Sequence, residues 1–174
     1  IIHEVLPART RFSRADVQKS TIEQVIAANI DRIIIVQAAA DPDLDLLTID
    51  RCTVMSEANT LPCLLCVNKM DLADRAVHDL IEPYRRIGIE VVFTCARTAE
   101  GTDALREAIR GRTSVFMGPS GVGKTSLLKC LVPGREFKTG EVSERTGEGR
   151  HTTSWVELVE VEPGTLVVDT PGLE

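Results

Sequence analysis

Apolar positions in this chain fall into short blocks that alternate with stretches of helical spacing. Residues 32–37, 61–67, 89–94 and 114–117 are β-branched or aliphatic runs bounded by polar or turn-forming positions, which is the pattern of buried strands. Between them, 44–58, 73–87 and 102–110 repeat apolar residues every three or four positions, and 125–131 does so after the last run. Helices are predicted there, with Pro83 expected to end or kink the second. A strand-helix alternation of this kind predicts an α/β fold with a doubly wound, mostly parallel sheet. The pattern changes after Leu131. Residues 139–153 hold Gly140, Gly147 and Gly149, several charges and few apolar positions, so they read as a loop. Two alternating strands follow, at 154–161 and 165–168, joined through Glu162-Pro163-Gly164 as a hairpin.

Composition narrows this picture. With 174 residues, 43% of them apolar, one domain with a single core is expected. At 3% aromatic content the core must be aliphatic, which suits a sheet covered on both faces and not a base-stacking surface. Twenty Lys and Arg against 26 Asp and Glu give a net charge of −6, so the domain as a whole is not a nucleic-acid clamp. The short basic runs Arg9, Arg11, Arg14 and Arg110, Arg112 read as solvated faces. No apolar run approaches the length of a membrane span, and no membrane association is expected. Cys52, Cys63, Cys66, Cys95 and Cys130 are odd in number and scattered, which fits reduced thiols and a cytoplasmic setting. Cys63 and Cys66 form a CxxC inside a predicted strand, where positions three apart face opposite sides, so they are read as buried apolar residues and not as metal ligands.

Three segments carry chemistry. Gly118-Pro-Ser-Gly-Val-Gly-Lys124-Thr125 matches GxxxxGK[ST] between a predicted strand and a predicted helix. Glycines there let successive N–H groups point at phosphate oxygens, and the helix start adds positive potential. Gly118, Ser120, Gly121, Val122, Gly123, Lys124, Thr125 and Ser126 are therefore expected to hold phosphates, with Lys124 neutralising them and the Thr125 hydroxyl reaching Mg²⁺. Asp169-Thr-Pro-Gly172 closes the last apolar strand and resembles the second Mg²⁺-associated motif of P-loop NTPases. Asp169 would hold the metal through water, and Gly172 would offer its N–H to the γ-phosphate. Asn68-Lys69-Met70-Asp71 ends the second strand, where α/β proteins place ligand contacts, and resembles the NKxD guanine-reading motif. A carboxylate at Asp71 accepts both N1–H and N2–H of guanine, a donor pair that adenine lacks. Asn68 would bond the base edge and its surroundings, and the Lys69 stem would pack along the base. Cys95-Ala96-Arg97 resembles the SAK loop that supports guanine, with Cys for Ser and Arg for Lys; Ala96 would give its N–H to the guanine carbonyl.

The order of these segments is reversed relative to ordinary GTPases, since base reading at 68 and 95 precedes the P-loop at 118 and Asp169. That order is expected of a circular permutation, which keeps the sheet and moves the covalent joins. Together with Gly147-Glu-Gly-Arg-His-Thr-Thr153 and Val5-Leu-Pro-Ala-Arg9, it makes the chain resemble the RsgA (YjeQ) group of small-ribosomal-subunit-dependent GTPases. The resemblance implies GTP and GDP as ligands with Mg²⁺, late maturation of the small ribosomal subunit as the process, and that subunit with its rRNA as the partner of a monomer. It also implies a preceding OB-fold, to which residues 1–15 would belong as its end or linker, with 16–174 forming the permuted GTPase domain. Zinc is expected only in a C-terminal domain outside this chain. By the same resemblance, Thr153, in preference to Thr152, would bind Mg²⁺. His151 would orient the attacking water and, with Lys124 and Thr153, make up the catalytic set.

Alternatives stand beside this reading. Other permuted GTPases act on the large subunit, but they usually carry Asn in place of Ser120 and lack the Arg-His-Thr-Thr string. A P-loop ATPase or kinase would leave NKMD as a mere turn. Leu173 stands where many GTPases carry the water-orienting Gln, which leaves open a GTP-sensing module without efficient hydrolysis.

Overall fold

The computed structural model describes residues 4, 7–15, 23–135, 137 and 157–169. A two-stranded antiparallel sheet, β1 (Arg11–Ala15) and β2 (Glu23–Ala28), leads into the main domain. There β3 (Arg32–Ala38), α1 (Leu46–Ala58), β4 (Cys63–Asn68), α2 (Ala76–Arg86), β5 (Glu90–Phe93), α3 (Thr102–Ile109), β6 (Thr113–Met117) and α4 (Lys124–Leu131) alternate. A hairpin of β7 (Glu157–Glu162) and β8 (Thr165–Asp169) follows. Six strands form one sheet in the order β5-β4-β3-β6-β8-β7, parallel except where β7 pairs antiparallel with β8.

Side-chain alternation explains why the strands look uniformly apolar. In β3, Ile33 and Ile35 pack on one face with Ile49 and Cys52 of α1 and Val77, Ile81 and Tyr84 of α2. Ile34, Val36 and Ala38 pack on the other with Leu105 and Ile109 of α3 and Leu127, Leu128 and Leu131 of α4. The expected single core is thus two layers, one on each side of the sheet. Burying each such Ile or Leu stabilises the fold by about 1.5–3 kcal/mol. The CxxC divides in the same way, with Cys63 packed against the first layer and Cys66 inside the second. Burial pushes the Cys66 thiol up to about 12. Cys63 is only partly buried, which corrects the expectation that both cysteines of the CxxC are buried.

Boundaries follow local hydrogen bonding. Asp45 caps α1 by accepting from Thr48 N at 3.1 Å and Thr48 Oγ1 at 2.6 Å, so the helix begins two residues later than its apolar pattern. The start of α2 is delayed further, because Met70–Leu72 forms a 3₁₀ turn and Asp74 Oδ1 takes the Ala76 N–H at 2.8 Å. Pro83 neither ends nor breaks α2, which runs on to Arg86. The carbonyl left without its N–H belongs to the exposed Asp79, within reach of water. Neither β1 nor β2 was predicted. In β1, Phe12 is fully buried, and Asn59 at the end of α1 accepts from Ser13 N at 3.0 Å and donates to Ser13 O at 3.2 Å. A single apolar residue among polar neighbours gave no periodic signal. Of the basic runs, Arg9 lies 3.7 Å from Asp31 with its side chain 72% exposed, and Arg110 is paired with Glu107 and Glu162 at the surface.

Because β3, β4, β5, β6 and β8 run parallel, their C-terminal ends share one rim. From β3 the chain passes to α1 on one face, and from β6 it passes to α4 on the other. The crevice between β3 and β6 is therefore the switch point at which α/β sheets bind ligands.

Candidate functional site

The segment leaving β6 turns tightly into α4 because its glycines meet neighbours that a side chain would strike. Gly118 has φ +154°, and a Cβ there would lie 2.1 Å from the Val36 carbonyl oxygen. At Gly123, φ +97°, a Cβ would lie 2.3 Å from Asn68 Nδ2. Val122, Leu127 and Leu128 anchor the turn and helix in the second core layer. Lys124 is buried at the start of α4, and its Nζ donates to Gly118 O at 2.7 Å and Pro119 O at 2.8 Å. Thr125 is half-buried and Ser126 exposed beside it.

On the other side of the crevice, β4 ends at Asn68, which is 1% exposed. Its Nδ2 donates to Val122 O at 2.9 Å, and its Oδ1 accepts from Thr94 Oγ1 and from Ala96 N, both at 3.1 Å. Asn68 thus ties the P-loop to the segment after β5. The Ala96 N–H, expected to face the base carbonyl, is donated to Asn68. Lys69 takes a left-handed backbone, φ +60°, which swings the chain into the 3₁₀ turn. Its ammonium donates to the Asp41 carbonyl and lies 3.9 Å from Asp41 Oδ2, so the loop after β3 is tied to the NKMD turn. Asp71 then faces the segment after β5. Its Oδ1 accepts from Cys95 Sγ at 3.0 Å and its Oδ2 from Arg97 Nε at 2.9 Å. The Cys95 thiol, and after it the Arg97 guanidinium, hold its carboxyl below the usual carboxylate range.

Asn68, Lys69, Asp71, Leu72, Ala96, Arg97, Gly123 and Ser126 line one cavity of about 400 Å³, so the NKMD, CAR and P-loop segments meet there. Asp169, last residue of β8, pairs in register with Phe116 of β6 and Glu157 of β7. It is 4% exposed, and its Oδ1 has no hydrogen-bond partner among the described residues. Burial pushes its carboxyl up to about 6, opposed by Lys124 and reinforced by Glu157. A buried carboxylate oxygen with no donor, in electrostatic reach of the P-loop lysine, fits a cation ligand. His151, Thr152, Thr153 and Gly172 lie outside the described residues. Sequence reasoning missed the bridging role of Thr94, the Lys69–Asp41 contact and the Arg97–Asp71 pair, since each joins segments far apart in the chain.

Comparison with known proteins agrees with this geometry. A family model described as RsgA GTPase matches residues 5–174. The chain belongs to the RsgA GTPase family. It is 40% identical over 172 residues to the "Small ribosomal subunit biogenesis GTPase RsgA" of Caldanaerobacter subterraneus subsp. tengcongensis, covering 98% of this chain and 55% of that relative. The Moorella thermoacetica protein of the same name is also 40% identical, with 99% and 56% covered. The chain thus spans little more than half the length of these relatives. Among solved structures, YjeQ from Thermotoga maritima superposes with a TM-score of 0.73 at 32% identity, over 98% of this chain and 54% of that one. YloQ, described as a circularly permuted GTPase, gives a TM-score of 0.57 at 28% identity, covering 98% and 58%. The RsgA fold accounts for the motif order: β3, β4 and β5 lie on one side of the P-loop strand β6, and the later β8 and β7 lie on the other.

Proposed function

We propose that this chain is the GTP-binding and GTP-hydrolysing domain of a cytoplasmic, monomeric protein that acts in late maturation of the small ribosomal subunit and contacts its rRNA. The observation that carries the reading is the meeting of Asp71, Ala96 and the P-loop at a single cavity, in the permuted order of the RsgA family. The names of the relatives support the process. Among the described residues no helix is long and apolar enough to cross a membrane. Residues 1–15 are read as the end of, or linker from, a preceding OB-fold, with β1 laid against β2, and residues 16–174 as the GTPase domain.

In this reading Asp71 accepts from the guanine donors, and the stem of Lys69 flanks the base. Lys124 exchanges its bonds to the Gly118 and Pro119 carbonyls for β- and γ-phosphate oxygens, and the backbone N–H groups from Ser120 to Ser126 cradle the phosphates. The Gly172 N–H meets the γ-phosphate. Thr125 and Thr153 through their hydroxyls, and Asp169 through water, are the residues that would hold Mg²⁺, and the Asp169 Oδ1 that has no hydrogen-bond partner among the described residues supports that assignment. Bound there, Mg²⁺ would neutralise charge that builds on the phosphates during transfer. His151 orients the attacking water.

The test is GTP turnover by the full-length protein with and without small ribosomal subunits, repeated with His151→Ala. Strong stimulation by the subunits, lost in the variant while GTP binding is kept, is expected. Binding without turnover under both conditions would instead favour a GTP sensor, the reading that Leu173 motivates.

A further inference from the structure

An ionised carboxylate offers about four acceptor positions, two on each oxygen. In Asp71 the protein itself occupies one on each: Cys95 Sγ reaches Oδ1 at 3.0 Å, and Arg97 Nε reaches Oδ2 at 2.9 Å. The backbone N–H of Asp71 also bonds the carboxylate, so the two side-chain contacts act on a group already oriented from its own main chain. The two holders differ in setting. Cys95 is 2% exposed and grips the carboxylate from inside the fold, whereas the Arg97 side chain is 73% exposed and grips it from the solvent side. Both Asp71 and Arg97 line the cavity.

We propose that Arg97 is a positioning residue that determines base specificity, by pinning the outer oxygen of Asp71 so that both carboxylate oxygens face the two donors of guanine. This rests on the guanine-nucleotide reading above. The terminal torsion of an aspartate is broad, so a carboxylate held at one oxygen alone rotates about that contact, while one held at both has its plane fixed. A rotated carboxylate still accepts one donor well and loses alignment with the second. The Arg97 Nε donor is set in a rigid plane and meets Oδ2 in one direction, whereas the three donors of a lysine at 97 rotate freely and would hold that oxygen more loosely. The pairing also keeps the carboxylate ionised, as the lowered Asp71 carboxyl indicates. Nothing in the tetrapeptide motif specifies this contact; the fold creates it by bringing the β5 exit beside the 3₁₀ turn after β4.

Inosine triphosphate makes the test specific, since it keeps N1–H, lacks the exocyclic amine and carries the same phosphates as GTP. The ratio of GTP to ITP affinity therefore reports the second donor alone, with the phosphate contacts cancelled. Affinities of both nucleotides are measured for the full-length protein, Arg97→Ala and Arg97→Lys at low and high salt. Arg97→Ala is expected to lower the GTP preference about two- to fivefold, the scale of an exposed ion pair. Arg97→Lys should recover part of it. Raising the salt should lower the preference of the parent towards that of Arg97→Ala and leave the variant's own ratio flat, because an exposed pair is screened. An unchanged ratio in Arg97→Ala at both salts would overturn the proposal, as would a higher one, which would mean that Arg97 competes with guanine. A parent that binds GTP no better than ATP would instead sink the guanine reading itself, and thermal melting of each variant separates either outcome from misfolding.

Discussion

The two halves of the crevice are built on opposite terms. On the base side, polar groups are already satisfied within the protein: Asn68 binds Val122, Thr94 and Ala96, and Asp71 has a donor on each oxygen. On the phosphate side, Asp169 is buried with one oxygen unpartnered among the described residues, and burial raises its carboxyl to about 6. The first half is a preformed template that a ligand joins by using spare acceptor positions. The second carries a desolvation cost that a bound cation relieves, so occupancy there changes stability as well as affinity. Asn68 is the bridge, since its side chain touches both loops.

Four substitutions test this contrast, in descending order of expected effect. Lys124→Ala should have the largest effect, lowering GTP affinity by about a thousandfold, because the phosphates lose charge-assisted bonds in a partly desolvated cradle. A titration showing parental affinity in the folded variant would remove Lys124 from phosphate binding. Next, Asn68→Ala should destabilise the nucleotide-free protein by about 3 kcal/mol, as the Val122 carbonyl, the Thr94 hydroxyl and the Ala96 N–H lose a common partner. Denaturant unfolding measures this, and a loss below about 1 kcal/mol would mean that the halves are not joined through Asn68. Asp71→Asn should weaken GTP by about a hundredfold and favour xanthosine triphosphate, with the fold kept. If both nucleotides bind the variant as they bind the parent, residue 71 does not read the base.

The smallest change is Asp169→Asn, which has opposite effects on the empty and the loaded protein. Burial raises the folded-state carboxyl from 3.8 to about 6, so the folded protein binds the proton more tightly than the unfolded chain does. The contribution of Asp169 to stability is therefore greatest below about pH 4 and is lost as pH rises through about 6. Removing the charge should stabilise the nucleotide-free protein by about 2–3 kcal/mol at neutral pH and by little near pH 4. In the same variant, binding of GTP with Mg²⁺ should weaken. Melting curves at the two pH values decide the first point; equal gains at both would mean that burial of the charge is not what matters.

Most of the main sheet was legible because buried parallel strands are contiguous apolar runs and glycines mark the turns. Every strand of the six-stranded sheet lay where its pattern predicted, to within a few residues. What escaped has a physical reason. Phe12 in β1 stands alone among polar residues, and its burial depends on a partner strand that carries no strong period. Pro83 was expected to interrupt a helix that continues, since the lost hydrogen bond falls on an exposed turn. In the site, the P-loop stood out by its glycine spacing between strand and helix, and NKMD by its place at a strand end, and both line the same cavity. The contacts of Arg97, Thr94 and Asp41 were not, because complementary side chains from separate loops leave no spacing rule in the chain.

On the proposed reading, the base half of the crevice takes guanine while the phosphate half takes phosphate and metal. Competition of GTP and ATP for the full-length protein, with Mg²⁺ present, tests it most directly. A preference for GTP of about a hundredfold or more is predicted, because adenine leaves the remaining Asp71 acceptors unpaired in the cavity. Equal affinity for the two nucleotides would contradict it.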